Sequence, residues 1–433
     1  MKALKIILLF LLVTEISLAQ VWMPVGNGFN QHVNTFFSDT ITGILYAGGG
    51  FDSSGSLAVS RIAQWNGTTW DSIGTGLTGG NVNAIIKYLG TIYAGGSFPN
   101  AGNTVVNYFT RWNGTGWDSV GITTSNCNVK TFCQYNAEFV VGGGFPIAGN
   151  LNANNIAKWD GANWDTLQSG TDNTVNALAV DNGALYIGGN FTTAAGNTAN
   201  YVAKWNGINL GGVGGGMNGP VYCLAMFGGR LYAGGNFTLA DGNPASNIAS
   251  WNGASWSGVD VGINGPVFAL TTNGTELFAG GNFSFAGGHP ADNIASWNGI
   301  SWTALGSGTN NEVDALVIHH DDLYAGGHFT SAGGNPAAYV AKWVNISSVP
   351  EKEISELILY PNPASKEIIV QTSNFKVQSI EIYDVFGKVV LNYRLSGENR
   401  QQVSIDVSEF APGFYFCRVK MNEKFLVRKI VVE

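Results

Sequence analysis

Apolar and polar positions follow a pattern that recurs seven times along the chain, with a period of 46 or 47 residues. Each unit carries an apolar dipeptide, Gly-Gly, one variable residue and a Phe, and a Trp comes fourteen residues after that Phe. The Phe and Trp positions are Phe51, Phe98, Phe145, Phe191, Phe237, Phe283 and Phe329, and Trp65, Trp112, Trp159, Trp205, Trp251, Trp297 and Trp343. A match at such regular spacing predicts a repeat architecture.

Each unit divides into four strand-like runs, a to d in chain order. In the fourth unit, run a covers residues 175–180, run b 185–191, run c 201–205 and run d 210–215. Asn-Gly at 206–207 separates runs c and d and is typical of a hairpin turn with positive φ. Four short strands in each of seven units predict an all-β fold, a seven-bladed β-propeller.

The seventh unit lacks a strand d after Trp343, and the missing strand is predicted at the other end of the chain. Residues 21–26 match residues 301–306, which include strand d of the sixth unit. We therefore expect residues 20–345 to form one closed ring whose N-terminal segment is the outer strand of the last blade. Closure of this kind removes an unpaired sheet edge.

The Gly-Gly pair ends strand b in every unit, and we expect it to have a structural role. A Cβ atom there would crowd the backbone of a neighbouring strand or blade. A phosphate-binding Gly-rich loop is the alternative. Such a loop needs a following helix and usually a Lys, and the sequence predicts neither here.

Residues 1–19 are typical of a secretory signal peptide. Lys2 and Lys5 form its charged region, and residues 7–13 form its short apolar core. Small residues near the end of this segment predict cleavage between Ala19 and Gln20. No other segment approaches about 20 unbroken apolar residues, so we expect no transmembrane segment in the mature protein.

The composition limits the classes of partner. The chain has 60 Gly, only 12% charged residues and a net charge of −8. An acidic body without a basic stripe argues against nucleic-acid binding. The four Cys have no spacing typical of zinc or of a disulfide framework, and we expect them to be small buried hydrophobic residues.

The repeat motif resembles those of known propellers. The Gly-Gly of strand b, as in Tyr-Ala-Gly-Gly at 232–235, and the strand c Trp, as in Trp251, resemble the kelch and galactose-oxidase class. Gly-Gly-Asn-Phe-Thr at 234–238 with Asn-Ile-Ala at 247–249 is similar to secreted bacterial repeats of the delta-60 type. This resemblance implies an architecture and no particular chemistry, since no galactose-oxidase copper site maps onto these residues.

The composition changes after residue 345. Residues 346–356 are typical of a linker, and the alternating runs that follow predict a small Ig-like β-sandwich over 357–433. Four segments in this region, 359–363, 380–388, 412–415 and 429–433, resemble in order the type A C-terminal sorting domain of type IX secretion. The motif residues are Tyr360, Pro361, Asn362, Pro363, Asp384, Gly387, Gly413, Tyr415 and Lys429.

The sorting-domain resemblance implies a Gram-negative host and export through the periplasm. It also implies recognition by the type IX secretion machinery and a final location outside the cell or on its outer surface. Without the family, the alternative is a generic Ig-like adhesion module.

A second Trp follows the strand c Trp by five residues in most units. These residues are Trp70, Trp117, Trp164, Trp256 and Trp302, and the fourth unit has Leu210 there. As candidate binding residues, exposed indoles would stack on sugar rings. We favour the alternative, in which they fill the space between blades with the indole N–H bound to a carbonyl oxygen.

Three further features carry other hypotheses. His-His-Asp-Asp at 319–322 lies in the predicted a–b turn of the last unit, where we favour a solvated hairpin over a metal site. Ser72, Ser119 and Thr166 resemble O-glycosylation acceptors of bacteria with type IX secretion, and ordinary polar positions on an outer strand are an equal alternative. We expect no cofactor, and a structural Ca²⁺ ion stays an open alternative.

Two functions remain open. The first is a non-catalytic binding protein that recognises a glycan or a protein through the b–c and d–a loops. The second is a secreted hydrolase or oxidase with an active site at one mouth of the propeller axis. Carboxylates or His clustered at a mouth would favour the enzyme, and a mouth of Asn, Thr and backbone would favour binding. The scarcity of candidate acids and bases favours binding, and we assign no catalytic or metal-binding residue.

Overall fold

A computed structural model describes residues 19–120, 127–346, 357–372, 377–384, 388–394, 402–421 and 424–432. These residues form strands and turns, and no helix occurs among them, so the all-β prediction is confirmed. The chain divides into two compact units, Met1–Ile346 and Ser347–Glu433. The predicted signal peptide up to residue 18 and the linker from residue 347 onward lie outside the described residues.

The first unit contains, in its described part, seven four-stranded antiparallel sheets, numbered 1 to 7 by their a strands. The a strands are Val33–Asp39, Val82–Tyr88, Asn128–Tyr135, Val175–Asp181, Val221–Phe227, Val267–Thr272 and Val313–His319. The b strands are Ile44–Gly49, Thr91–Gly96, Glu138–Gly144, Ala184–Gly189, Arg230–Gly235, Leu277–Gly281 and Asp322–Gly327. The c strands are Ile62–Trp65, Phe109–Trp112, Ile156–Trp159, Val202–Trp205, Ile248–Trp251, Ile294–Trp297 and Val340–Ile346.

The d strands are the outermost in each sheet. They are Trp70–Ser72, Trp117–Ser119, Trp164–Thr166, Leu210–Gly212, Trp256–Gly258, Trp302–Ala304 and, for sheet 7, Ala19–Pro24. A two-residue hairpin lies between strands b and c of each sheet. These hairpins pair Ser53–Ser54 with Leu57–Ala58, Asn100–Ala101 with Thr104–Val105, Ile147–Ala148 with Leu151–Asn152, Thr193–Ala194 with Asn197–Thr198, Leu239–Ala240 with Asn243–Pro244, Phe285–Ala286 with His289–Pro290, and Ser331–Ala332 with Asn335–Pro336.

Sheet 7 takes its fourth strand from the N-terminal end of the described chain. Ala19–Pro24 pairs antiparallel with Val340–Ile346, and Trp22 lies opposite Trp343, as the match between 21–26 and 301–306 predicts. The a strand of each sheet lies beside the a strand of the next, and that of sheet 7 lies beside that of sheet 1. The four-stranded units thus follow one another as propeller-like blades.

The Gly-Gly pair allows this close packing. A Cβ added to Gly48 would lie 2.5 Å from Cγ1 of Val82 in the next sheet, and one added to Gly326 would lie 2.7 Å from Cγ1 of Val33. A Cβ on the second Gly of each pair would overlap the backbone carbonyl that precedes the strand a Val of the same sheet. The predicted structural role of the pair is therefore confirmed.

The second unit contains two sheets in its described part. Leu357–Tyr360, Glu367–Thr372 and Gln402–Asp406 form one, and Val389–Arg394, Val377–Asp384, Gly413–Met421 and Lys424–Val432 form the other. Inward-facing side chains from both sheets form one buried apolar cluster, which includes Ile368, Ile382 and Val419.

Candidate functional site at the axis of the ring

Each a strand carries a β-bulge near its start, where one extra residue is left without a ladder partner. The extra residues are Asn34, Asn83, Lys130, Asn176, Tyr222, Phe268 and Asp314. Because the a strands contact one another from sheet to sheet, these seven positions lie around the axis of the ring.

Side-chain contacts of the bulged residues cross from one sheet to the next, to another bulged residue or to the residue before the strand a Val. Asn34 Nδ2 donates to Asn83 Oδ1 at 3.0 Å, and Asn83 Nδ2 donates to Asn128 Oδ1 at 2.7 Å. The rings of Tyr222 and Phe268 lie 5.7 Å apart between centroids. The first sheets therefore present amides at the axis, and sheets 5 and 6 present an aromatic pair.

Two more positions in each sheet join the bulged residue at this end of the a strands. One is the variable residue of Gly-Gly-x-Phe, and the other is the residue before the strand a Val. The amide of the first donates to the carbonyl of the second, as from His328 N to Glu312 O at 3.0 Å. The bulged residue and these two positions are together called the axial rim.

The rim varies between units where the surrounding core does not. The strand a Val, at 33, 82, 129, 175, 221, 267 and 313, is the same residue and fully buried in all seven sheets. The variable residues are Gly50, Ser97, Gly144, Asn190, Asn236, Asn282 and His328, and those before the Val are His32, Asn81, Asn128, Thr174, Pro220, Pro266 and Glu312. The architecture therefore leaves the rim side chains free to differ.

Sheet 7 concentrates the ionisable groups of the rim. His328 Nδ1 lies 2.8 Å from Asp314 Oδ2 and 3.1 Å from Glu312 Oε1. Asn282 Nδ2 donates to Glu312 Oε2 at 3.2 Å, and the ring of His32 stacks on that of His328 with centroids 4.4 Å apart. Burial, opposed by nearby His328, raises the pKa of Asp314 to about 6. Burial and the positive charges of His328 and Arg61 lower the pKa of His32.

The rim continues into a cavity along sheets 1 to 3. A space of about 440 Å³ lies along the a strands of sheets 1 to 3, and its lining includes Asn83, Lys130 and Phe132. The bulged positions of sheets 3 and 7 thus carry opposite formal charges, Lys130 and Asp314. The axial rim is chemically asymmetric although the backbone repeats.

The second Trp of each unit lies in the core between sheets. Four of the five candidate indoles, Trp70, Trp117, Trp256 and Trp302, are at most 5% exposed, and Trp164 is half-buried. Each faces the strand c Trp of its own sheet, with ring centroids 4.9 to 5.5 Å apart. Four of the five indole nitrogens donate to a carbonyl of the preceding sheet at 3.0 or 3.1 Å. This geometry supports packing, because the buried indoles offer no free face to a sugar.

Many Asn side chains of the loops bind the loops to each other. The Oδ1 atoms of five equivalent residues before strand a each accept two backbone amides from the start of the b–c hairpin. These residues are Asn30, Asp172, Asn218, Asn264 and Asn310. Their acceptors are therefore engaged within the protein, and the Asn content of the loops overstates their capacity for a ligand.

The His-His-Asp-Asp segment forms the expected a–b turn of sheet 7, but the prediction of a solvated hairpin is wrong for His319. His319 is buried and its Nδ1 lies 2.9 Å from Ser38 Oγ, while Asp322 Oδ2 accepts a hydrogen bond from Lys342 Nζ at 3.0 Å. His320 and Asp321 adopt positive φ in the turn. Among the described residues, a group of three metal-ligating side chains occurs at Glu312, Asp314 and His328 and not at this turn.

The modification candidates and the cysteines lie as follows. Ser72 and Ser119 are exposed on outermost strands, and Thr166 is half-buried on another. None of the four Cys, all of which the structure describes, forms a disulfide bond, and only Cys133 is more than slightly exposed. Burial raises the pKa of Cys133 to about 11 and that of Cys417 to about 12.

Among the sorting motif residues, Asn362 binds the C-terminal strand, while Tyr415 and Asp384 form local hydrogen bonds. Asn362 Nδ2 donates to the Lys429 carbonyl at 3.0 Å, and Asn362 Oδ1 accepts from the Val431 amide at 2.8 Å. Tyr415 Oη donates to the Ala411 carbonyl at 2.8 Å, and Asp384 Oδ1 accepts from the Lys388 amide at 2.9 Å.

Two further motif positions belong to the paired terminal strands, since Gly413 lies opposite Val432 in the register and Lys429 is part of the last strand. The peptide bonds before Pro361 and Pro363 are cis, and Gly413 begins a strand. The Lys429 ammonium lies 3.8 Å from the ring centroid of Phe414. Gly387 lies outside the described residues.

Comparisons with known proteins bear mainly on the second unit. Residues 358–433 match the family model of the secretion system C-terminal sorting domain. No curated protein matches the chain. Among solved structures, the computationally designed Ika8 protein is similar at 13% identity, with 75% of this chain and 99% of that chain covered and a TM-score of 0.44.

The sorting domain supports export of the protein to the medium or the outer surface through type IX secretion. No helix in the described part of the chain is long and apolar enough to cross a membrane.

The sequence alone does not reveal the axial rim, because the rim residues are far apart along the chain. One feature of the sequence does point to the rim. At the position after the strand a Val, the seven units carry three Asn and one each of Lys, Tyr, Phe and Asp. A position that varies inside an otherwise regular repeat marks side chains that the shared packing does not dictate.

Proposed function

We propose that this chain is an exported binding protein, built as a seven-bladed β-propeller that its N-terminal strand closes. In this proposal the ligand binds at the axial rim, and the C-terminal unit is an Ig-like sorting domain that the type IX secretion machinery recognises. The kelch-like and delta-60-like motifs support the propeller assignment.

The observation that carries the proposal is the divergence of the rim. Seven copies of one backbone position present amides, an amine, two aromatic rings and a carboxylate around a single axis. A site that only served packing would keep one residue type, as the neighbouring Val does. Different side chains on a rigid repeated frame are what binding of one asymmetric ligand requires.

The chemistry of the rim fits a carbohydrate best. Tyr222 and Phe268 are half-buried and form a tilted aromatic surface suited to the apolar face of a sugar ring. Asn34 and Asn176 lie within the same rim, and their uncharged side-chain carbonyl oxygens suit the hydroxyl groups of a sugar, whereas the side chain of Asn83 is already bound within the protein at both ends. We therefore assign the proposed glycan-binding surface to Tyr222 and Phe268 and not to the Trp residues of the core.

A glycan-array screen of the purified full-length chain tests the proposal. We expect saturable binding to one glycan class, and at least about a tenfold loss of affinity in Phe268→Ala and Tyr222→Ala, because an aromatic ring stacked on the ligand contributes about 1 kcal/mol or more. Phe285→Ala is the matched control, since Phe285 is 44% exposed on the first strand of the b–c hairpin of sheet 6 and occupies none of the rim positions. Unchanged binding in folded Phe268→Ala, or loss in Phe285→Ala, would refute the rim as the site.

A secreted hydrolase is the second candidate, and the sheet 7 cluster favours it. Glu312, Asp314 and His328 bring two carboxylates and an imidazole together at one end of the axis, which is the arrangement expected of an enzyme mouth. Both carboxylates approach the same nitrogen of His328, so neither is held apart to flank a scissile bond. Turnover of a bound glycan that Glu312→Gln abolishes would establish this candidate over simple binding.

A further inference from the structure

Three ligand-type side chains converge on sheet 7 of the axial rim. Nδ1 of His328 and one carboxylate oxygen each of Glu312 and Asp314 lie within 4.8 Å of one another, and all three residues are half-buried. The backbone N–H of His328 donates a hydrogen bond to the Glu312 carbonyl oxygen, which fixes the His328 backbone. Asn282 Nδ2 donates to the Glu312 carboxylate and fixes that side chain. The donors are therefore positioned before any ligand binds.

The three residues are also exceptional within the repeat. They occupy the three rim positions of a single sheet, where sheet 6 has Pro266, Phe268 and Asn282. Asp314 is the only acid at a bulged position, and Glu312 is the only acid before a strand a Val. Sheet 7 is thus the one sheet of the seven in which all three rim positions carry a residue type that binds metals.

The two carboxylates of the cluster have the imidazole of His328 as their shared basic partner. Among the described residues, no Lys or Arg forms an ion pair with Glu312 or Asp314. Two half-buried carboxylates share the single imidazole of His328. His32 stacks on that imidazole ring and adds no carboxylate to the cluster. A bound divalent cation would balance this charge.

We propose that Glu312, Asp314 and His328 form a binding site for a single divalent first-row transition metal ion, with Zn²⁺ as its best probe. One nitrogen and two oxygen ligands suit Zn²⁺ better than Ca²⁺, which takes six to eight oxygens. Three protein ligands leave a fourth position of a tetrahedral ion for water or for a ligand on the axis. This site does not depend on the proposed carbohydrate binding.

Isothermal titration calorimetry of ZnCl₂ into the chelator-treated full-length chain tests the site. We expect one Zn²⁺ per chain, binding tighter than Ca²⁺, and at least about a tenfold loss of affinity in His328→Asn and in Glu312→Gln. His289→Asn is the matched control, because His289 is exposed in the b–c hairpin of sheet 6 and should leave the affinity unchanged. Visible absorption of the Co²⁺-loaded chain gives a second measurement, whose bands should disappear in His328→Asn.

Several results would overturn the site. These are the absence of saturable Zn²⁺ binding, an affinity that survives in folded His328→Asn and Glu312→Gln, or a loss of binding in His320→Asn, which would place the metal at the His-His turn. If His328→Asn fails to fold, the Zn²⁺ affinity of Glu312→Gln and the visible spectrum of the Co²⁺-loaded wild-type chain still test the site. Tyr222→Ala should keep full Zn²⁺ affinity, so failure of the glycan proposal and failure of the metal site are separable.

Discussion

At the scale of single residues, the outer-strand Trp residues stabilise the contact between neighbouring sheets. Trp70 is 2% exposed, packs on Trp65 and donates from Nε1 to the Val25 carbonyl at 3.1 Å. Trp302 has the same environment, but its Nε1 has no hydrogen-bond partner in the described structure. The two positions thus separate the contribution of the hydrogen bond from that of the ring.

Trp70→Phe should lower the free energy of unfolding more than Trp302→Phe does. Both substitutions shrink a buried ring, and only the first also leaves a carbonyl without its donor, at a cost of about 1 kcal/mol. Urea denaturation of the two variants and of the wild type measures this difference. Equal losses in both variants would show that the Nε1 bond contributes nothing to stability.

At the scale of secondary-structure elements, the last two residues of strand b set how closely the sheets pack. The first Gly of each pair faces the strand a Val of the next sheet, and the second faces the backbone of its own strand a. Neither position requires positive φ, so the constraint is space and not backbone conformation. Any side chain there has to push two strands apart.

Gly188→Ala should destabilise the protein by about 1–3 kcal/mol, the usual cost of overpacking. Its Cβ would lie 2.5 Å from Cγ1 of Val221. Gly211→Ala is the matched control, because Gly211 lies on strand d of the same sheet without positive φ, and a Cβ added there would have no neighbouring atom within 4 Å. Differential scanning calorimetry should show a lower Tm for the first variant only, and a normal Tm for Gly188→Ala would contradict the packing argument.

At the scale of the whole molecule, the ring depends on a strand from the far end of the chain. Ala19–Pro24 supplies six register pairs to sheet 7, and Trp22 Nε1 donates to the Leu305 carbonyl of sheet 6 at 2.8 Å. Trp22 is 3% exposed. Without this strand, strand c of sheet 7 would be left as an open edge.

Removal of residues 20–24 from the mature chain should lower the free energy of unfolding by at least about 3 kcal/mol, the usual cost of losing a buried Trp side chain. A synthetic peptide of residues 19–26 should restore part of this loss when added to the truncated chain. Thermal unfolding of the truncated chain with and without the peptide measures both effects. A Tm that the truncation does not change would refute closure by this strand.

The sequence by itself determined the strands, their grouping in fours and the exchange of the N-terminal strand. These features follow from local patterns, since Asn-Gly turns, Gly-Gly pairs and alternating apolar residues act over a few positions. The sorting domain could be identified for the same reason, because its motifs are contiguous segments. The tertiary structure alone decided which Trp rings are buried and which polar residues meet.

The axial rim is the clearest case of this second kind. His32 and His328 come from opposite ends of the repeat region, and only ring closure stacks their side chains. Glu312 and Asp314 belong to no motif along the chain, and only the folded structure shows that Asp314 is the bulged residue of its strand and that both carboxylates reach His328. Each strand can be predicted from the local sequence pattern, because the residues that determine it lie within a few positions of one another. A site on the axis depends on distances between residues that are far apart in the chain, and these distances are set only when all the sheets have closed into a ring.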